Sequence, residues 1–140
     1  MSERPPGMPL GIYGNNPGNL DFIAPPERPW NGQVGRDSDT GRFGVYDTPA
    51  NGMRALSKQL QKDYAASGAT TLAQLITEWA PPEENDTTAY INIVSKQTGI
   101  DPNVQFDLYA NLPALATAIT LHEQGQQPYN PSDIAQWVYL

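Results

Sequence analysis

The amino-acid sequence predicts a mainly α fold, classed as α+β because one small β-hairpin accompanies the helices. In several segments apolar residues recur every three or four positions, the spacing of one helix face. A capping residue stands directly before Pro at Thr48-Pro49, Asp101-Pro102 and Asn130-Pro131, and each of these pairs predicts a helix start. The chain has 140 residues, so we expect one domain with enough length to bury a core.

The chain before the first long helix is rich in turns. We predict a flexible arm over residues 1–10 and a single compact domain over residues 11–140. Gly14 to Asn19 reads as consecutive tight turns, because Asn and Gly tolerate the left-handed region. Ala24 to Trp30 is proline-rich and extended, and a hairpin follows with arms at Gln33–Val34 and Arg42–Tyr46.

The remaining sequence predicts helices, each bounded by a cap or a breaker. Thr48 and Pro49 open the first, which Gly68 ends, and Pro81 and Pro82 stop the second after Trp79. The apolar face of the first of these helices is formed by Met53, Leu56, Leu60 and Tyr64. The predicted helical ranges are 49–67, 71–79, 86–97, a short turn at 102–106, 111–124, and a last short helix from 131 to 140.

Composition excludes several function classes. The chain has no Cys, so disulfides, thiolate catalysis and Cys-based zinc sites are excluded. With His122 as the single histidine, we expect no metal and no cofactor. With a net charge of -7, the chain has no obvious basic surface for binding a nucleic-acid backbone. No stretch reaches membrane-spanning length, and we expect synthesis in the cytoplasm without a signal peptide.

A carboxylate-rich corner lies between two predicted helices. Glu83, Glu84, Asn85 and Asp86 follow the two prolines, and Asp86 suits the N-cap of the next helix. Such a corner can hold a carboxylate such as that of Glu84 rigidly at the edge of a cleft. The alternative is an ordinary polar loop.

A second candidate carboxylate closes the helix predicted at 111–124. Glu123 lies four residues after the apolar Ile119, and His122 lies seven after Leu115, so both approach the buried edge. The negative end of the helix dipole and partial burial disfavour a charged carboxylate, which suits a general acid. Alternatively, His122 bonds a core carbonyl and Glu123 points to water.

Several stretches together resemble a family of bacteriophage and prophage virion-associated proteins with lysozyme-like, peptidoglycan-degrading character. The matching stretches are GIYGNNPGNL (residues 11–20), Trp30 with Gly32, GRFGVYDTPANGMRAL (41–56), TEWAPPEENDTTAYINIV (77–94) and ITLHEQGQQPY (119–129). The resemblance implies a lysozyme-like compact helical domain that cleaves peptidoglycan glycan strands as a muramidase or lytic transglycosylase. The Glu-Ser pair that marks the common lytic transglycosylases is missing. The most similar segment is HEQG at 122–125, where a glutamate ends a helix just before a glycine.

The resemblance also implies roles for individual residues. Such cleavage needs a carboxylic acid that protonates the leaving oxygen. Glu123 is the first choice for this acid and Glu84 the second. The implied substrate-binding residues are Tyr13, Asn15, Asn16, Asn19, Trp30, Asn85 and His122.

Two other functions stay open at this stage. The first is a non-catalytic virion structural or accessory protein that binds other virion proteins. The second is an inhibitor or adaptor that binds a host protein through its acidic face. For the glycosidase we expect synthesis in the host cytoplasm, then association with the virion or delivery to the periplasm and cell wall. Neither membrane insertion nor nucleic-acid binding is expected.

Overall fold

The computed structural model describes residues 3–66, 68 and 71–140. Within these ranges it contains six helices and one two-stranded antiparallel sheet. The predicted class, mainly α with one small hairpin, is confirmed. In chain order the elements are α1 (Leu10–Tyr13), β1 (Gln33–Arg36), β2 (Gly44–Tyr46), α2 (Pro49–Ala66), α3 (Leu72–Trp79), α4 (Thr87–Thr98), α5 (Leu108–Gln124) and α6 (Pro131–Trp137).

Side-chain caps fix where most helices begin. A capping side chain satisfies a backbone N–H of the first turn that has no partner within the helix. The Thr48 hydroxyl accepts from the Asn51 N–H at the start of α2. Four further helices are capped in the same way, by Thr71, Asp86, Asp107 and Asn130.

Three predicted helix boundaries were wrong. The α5 helix begins at Leu108, not Asn111, because Asp107 caps it and Pro113 is accommodated inside the helix. Residues 102–106 form no helical turn, because the Asp101 side chain accepts from the Asn103 N–H and closes a non-helical turn. The last helix ends at Trp137, and Leu140 is exposed.

The hairpin pairs Gln33 with Tyr46 and Arg36 with Gly44, and a one-residue bulge lies at Val34. The N-terminal loop packs against its second strand. Gly14 O accepts from Tyr46 N at 2.9 Å, and Leu20 O accepts from Gly44 N at 3.0 Å. The predicted tight turns over residues 14–19 therefore form a wall that is hydrogen-bonded to β2.

The hydrophobic core lies among α2, α3, α4, α5 and α6. The predicted apolar stripes of α2 and α5 are buried as expected, with Leu56, Leu60, Leu112 and Leu115 fully inside. The α5 helix contacts α1, α2, α4 and α6, so its position sets that of most of the chain. No helix in the described ranges is both long and apolar enough to span a membrane.

The segment predicted as a flexible arm makes one ion pair with the hairpin. Arg4 Nη2 lies 2.7 Å from Asp39 Oδ2. Met1 and Ser2 lie outside the described residues.

The turn between β1 and β2 is organised around the carboxylate of Asp37, which is 6% exposed. It accepts hydrogen bonds from the backbone N–H groups of Thr40, Gly41 and Phe43 and from the Thr40 hydroxyl. Burial raises the pKa of Asp37, but these hydrogen bonds outweigh it and lower the pKa to about 2.

We therefore expect Asp37→Asn to destabilise the protein by about 1–3 kcal/mol, because an amide cannot accept all of these bonds. The measurement is denaturant unfolding at neutral pH. Asp39→Asn is the matched control, since Asp39 holds only an exposed ion pair and should cost about 1 kcal/mol or less.

The Asp37 contribution also depends on pH. The folded pKa of about 2 lies below the unfolded value of 3.8, so the stabilisation is complete above the unfolded pKa. This stabilisation is lost as the pH falls from the unfolded pKa of 3.8 through the folded pKa of about 2. The stability gap between wild type and Asp37→Asn should narrow over that window, and a constant gap would contradict the assignment.

Candidate functional site

A cleft of about 620 Å³ runs between the N-terminal loop, the hairpin and the helices α2, α3 and α5. One wall is the loop from Gly18 to Ala24, continued by Trp30. The lining also includes Gln59 and Asp63 of α2 and Glu78 to Pro81 at the end of α3. Glu123 of α5 also lines the cleft.

The lining of this cleft is strongly acidic. Among the described residues it includes one cation, Arg42, and six carboxylates, those of Asp21, Glu27, Asp63, Glu78, Glu84 and Glu123. Aromatic rings lie among them, including Trp30 and Trp79. No grouping of three or more His, Cys, Asp or Glu in the described ranges could hold a metal ion. The cleft thus offers carboxylates and stacking faces.

Glu123 is half-buried, and both of its carboxylate oxygens are hydrogen-bonded. Oε1 accepts from the Asn19 amide at 3.1 Å, and Oε2 accepts from the Tyr90 hydroxyl at 2.7 Å. The Tyr90 oxygen itself accepts from Trp79 Nε1 at 3.0 Å. Burial, followed by the neighbouring Glu123 charge, raises the pKa of Tyr90 well above its ordinary value.

Chemistry alone fixes the direction of these hydrogen bonds. An indole N–H can only donate, so the Tyr90 oxygen must accept from Trp79 and give its own proton to Glu123. The carbonyl oxygen of Asn19 accepts from Gln124 Nε2 at 2.9 Å, which turns the Asn19 amide N–H₂ towards Glu123. Glu123 is therefore an acceptor at both oxygens.

Gln124 secures the loop that carries Asn19. Its buried amide also donates to the backbone carbonyls of Pro17 at 3.0 Å and Asn16 at 3.3 Å. Asn19 has a φ of 50°, a left-handed conformation that asparagine tolerates. A side chain on Gly18 would meet the Trp79 ring at 3.0 Å, so glycine allows the loop to pack closely on the indole.

Asp63 is a further half-buried carboxylate of the cleft. It lies in the last turn of α2, and its Oδ1 accepts from Gln59 Nε2 at 2.9 Å. Burial raises the pKa of Asp63, and the nearby charge of Glu78 adds to this effect, while Gln59 and Lys62 oppose it. The net result is a raised pKa.

Five of the nine residues singled out from the sequence line this cleft: Asn19, Trp30, Glu84, Asn85 and Glu123. Glu84 is at the rim, with a side chain that is 64% exposed and an oxygen 3.6 Å from Arg42 Nη2. The indole nitrogen of Trp30 is buried and has no hydrogen-bond partner among the described residues.

The other four residues lie elsewhere. Asn16 is buried, and its amide bonds Leu20 and Gly44 within the loop and hairpin. Asn15 donates to Tyr46 O at 3.0 Å, and Tyr13 lines a separate hollow beside β1. His122 is exposed, and its ring packs against Tyr90 with centroids 3.9 Å apart and the ring planes tilted by 45°.

Sequence reasoning missed Asp63, Trp79, Tyr90 and Gln124 as parts of the site. Trp79 ends one predicted helix and Tyr90 lies in the next, and nothing in their spacing shows that their polar atoms meet. Gln59 and Asp63 are four residues apart on α2, which places them on one helix face. That spacing was the available signal for Asp63.

Comparison with known proteins gives one clear relative. Protein P5 of Pseudoalteromonas phage PM2 is 34% identical over 124 residues, which cover 89% of this chain and 76% of the relative. The chain belongs to the Protein P5 family of bacteriophage proteins. No protein-family model matches the chain.

Membership of the Protein P5 family confirms the phage part of the resemblance and supports a phage virion protein. The lysozyme-like character, the peptidoglycan-degrading activity and delivery to the periplasm stay predictions.

The direction of the hydrogen bonds at Glu123 leads to a stability test. Tyr90→Phe removes the hydroxyl that joins Trp79 to Glu123 and leaves a half-buried indole N–H without its partner. We expect a loss of about 1–3 kcal/mol in the free energy of unfolding.

Tyr139→Phe is the matched control for this variant, because it removes an exposed hydroxyl that donates to Tyr109 O at 2.7 Å. Water can replace that bond, so the loss should be well below that of Tyr90→Phe. Equal losses in both variants would show that the Glu123 network adds nothing.

Proposed function

We propose that the protein is a phage virion component that cleaves peptidoglycan glycan strands in the cleft. The observation that supports this most is a half-buried carboxylate, Glu123, held by two directed hydrogen bonds in the wall of a cleft of about 620 Å³. Supported carboxylates beside an aromatic-lined groove are the parts that glycoside hydrolysis needs.

The direction of these hydrogen bonds refines the role of Glu123. A carboxylate that already accepts at both oxygens is suited to take a proton from water or to stabilise positive charge at the sugar carbon. It is less suited to the acid role that the resemblance implied. In this proposal the strand binds along the cleft, Trp30 and Asn85 contact its sugars, and no metal or cofactor takes part.

The proposal includes a place for this activity. Family membership supports association with the virion, so the protein would reach the cell wall with the particle. The cleft is acidic while the wall polymer is also anionic, so binding would rest on hydrogen bonds and ring stacking with neutral sugar units.

A non-catalytic virion component is the second candidate, and two observations favour it. The Glu123 network joins four chain segments, which is a sufficient structural reason for it. In addition, Tyr109, Tyr139 and Leu140 form an exposed apolar patch near the end of α6, and their exposed fractions are 60%, 41% and 52%. Such a patch could pack against another virion protein.

The decisive experiment is clearing of purified cell walls by the protein and its Glu123→Gln variant. Because the reaction needs the carboxylate, we expect a loss of about 100-fold or more in Glu123→Gln. Glu84→Gln tests the exposed rim carboxylate in parallel, and fragment masses distinguish hydrolysis from an anhydro product.

Glu83→Gln is the matched control, since Glu83 is an exposed neighbour of Glu84 outside the cleft lining. It should clear walls at the wild-type rate. Thermal melts check that all variants fold. Absence of clearing by the wild-type protein, together with stable assembly into virion complexes, would favour the non-catalytic component.

A further inference from the structure

We propose that Asp63 is the proton donor of the cleft, giving its proton to the leaving glycosidic oxygen while Glu123 accepts the proton of the attacking water. This inference rests on the proposed glycosidase function. It assigns a catalytic role to a residue outside the stretches that carry the phage resemblance.

The position of Asp63 supports this role. It lies on α2, and its side chain lines the same hollow as Asn19 and Glu123. Within the described residues one of its oxygens is engaged, since Oδ1 accepts from Gln59 at 2.9 Å. The other oxygen is left for a proton and for a substrate atom.

The surroundings of Asp63 favour its neutral form. Partial burial raises its pKa, and the charge of Glu78 on α3 raises it further. The last turn of α2 adds the negative end of a helix dipole. Gln59 and Lys62 on the same helix act in the opposite direction but do not cancel these effects.

Asp63 and Glu123 therefore differ in what surrounds them. Glu123 accepts at both oxygens from fixed donors, whereas Asp63 has one such donor and a carboxylate neighbour. Two carboxyl groups whose environments differ in this way are the usual basis for separate acid and base roles. Glu84 fits the donor role less well, because it faces water and Arg42.

The chemistry balances as a single displacement. Water attacks the anomeric carbon and loses a proton to Glu123. The bond from that carbon to the glycosidic oxygen breaks, and its electron pair stays on the oxygen, which takes the proton of Asp63. The net reaction is hydrolysis, and proton exchange with solvent restores both carboxyl groups.

The first test compares two substrates that differ in leaving group. Wall glycan has a sugar hydroxyl as leaving group and needs the acid, whereas an aryl glycoside of an N-acetylated chitooligosaccharide needs little protonation. We expect Asp63→Asn to lose about 100-fold or more on wall glycan and much less on the aryl glycoside. Glu123→Gln should lose activity on both.

The second test is the pH profile of wall cleavage. A proton donor must be protonated, so the rate falls as pH rises through its pKa. Glu78→Gln removes a charge that raises the pKa of Asp63, so the falling limb should move to lower pH. Lys62→Met removes an opposing charge and should move the limb to higher pH, and Asp63→Asn should abolish it.

Gln59→Leu is a second variant for the case that Asp63→Asn fails to fold, and it should also move the limb to higher pH. If the wild-type protein cleaves neither substrate, the proposed function and this inference both fail. Suppose instead that the wild-type protein cleaves both substrates. If Asp63→Asn then keeps the falling limb of the pH profile, or loses the same fraction of its rate on both substrates, the donor role of Asp63 is overturned and the proposed function stands.

Discussion

One directed series of hydrogen bonds joins three helices and the N-terminal loop beside the cleft. The Trp79 indole donates to Tyr90, Tyr90 donates to Glu123, and Glu123 also accepts from Asn19, which Gln124 orients. These residues belong to α3, α4, α5 and the N-terminal loop. Because an indole donates only and a carboxylate accepts only, each link has one possible direction. A change at either end therefore leaves a half-buried polar group without a partner, which costs more than the bond itself contributes.

The same hydrogen bonds explain why a structural role and the proposed catalytic role of Glu123 are hard to separate in this fold. The bonds that attach the loop to α5 also hold a carboxylate in the wall of the cleft. A stabilising role is enough to explain these hydrogen bonds, but it does not explain the hollow beside them. This hollow of about 620 Å³ is lined by six carboxylates and one arginine within the described residues, and Asp63 and Glu123 are the half-buried carboxylates among them. The proposed function accounts for this hollow as a ligand site.

Local sequence signals predicted most of the fold and part of the site. Caps and apolar spacing located the helices because both act within one or two turns of the chain. They failed at Asp107, where the cap stands four residues before the predicted start, and at Asp101, whose side chain closes a turn without a helix. The cleft position of Glu123 followed from its place near a buried edge. The role of Asn16 did not, since its partners lie on a strand whose approach is set by tertiary packing.

The two carboxylates that matter most occupy equivalent places in different helices. Asp63 is in the last turn of α2 and Glu123 in the last turn of α5, where the helix dipole disfavours negative charge. The fold compensates Glu123 with two donors from other elements. It compensates Asp63 with one donor from its own helix and sets Glu78 nearby. Stability would be served by supporting both carboxylates equally or by replacing Asp63, which has fewer donors. In the proposed mechanism the two groups have different tasks, and their surroundings differ in the same sense, since Asp63 has one donor and a carboxylate neighbour whereas Glu123 accepts from two fixed donors.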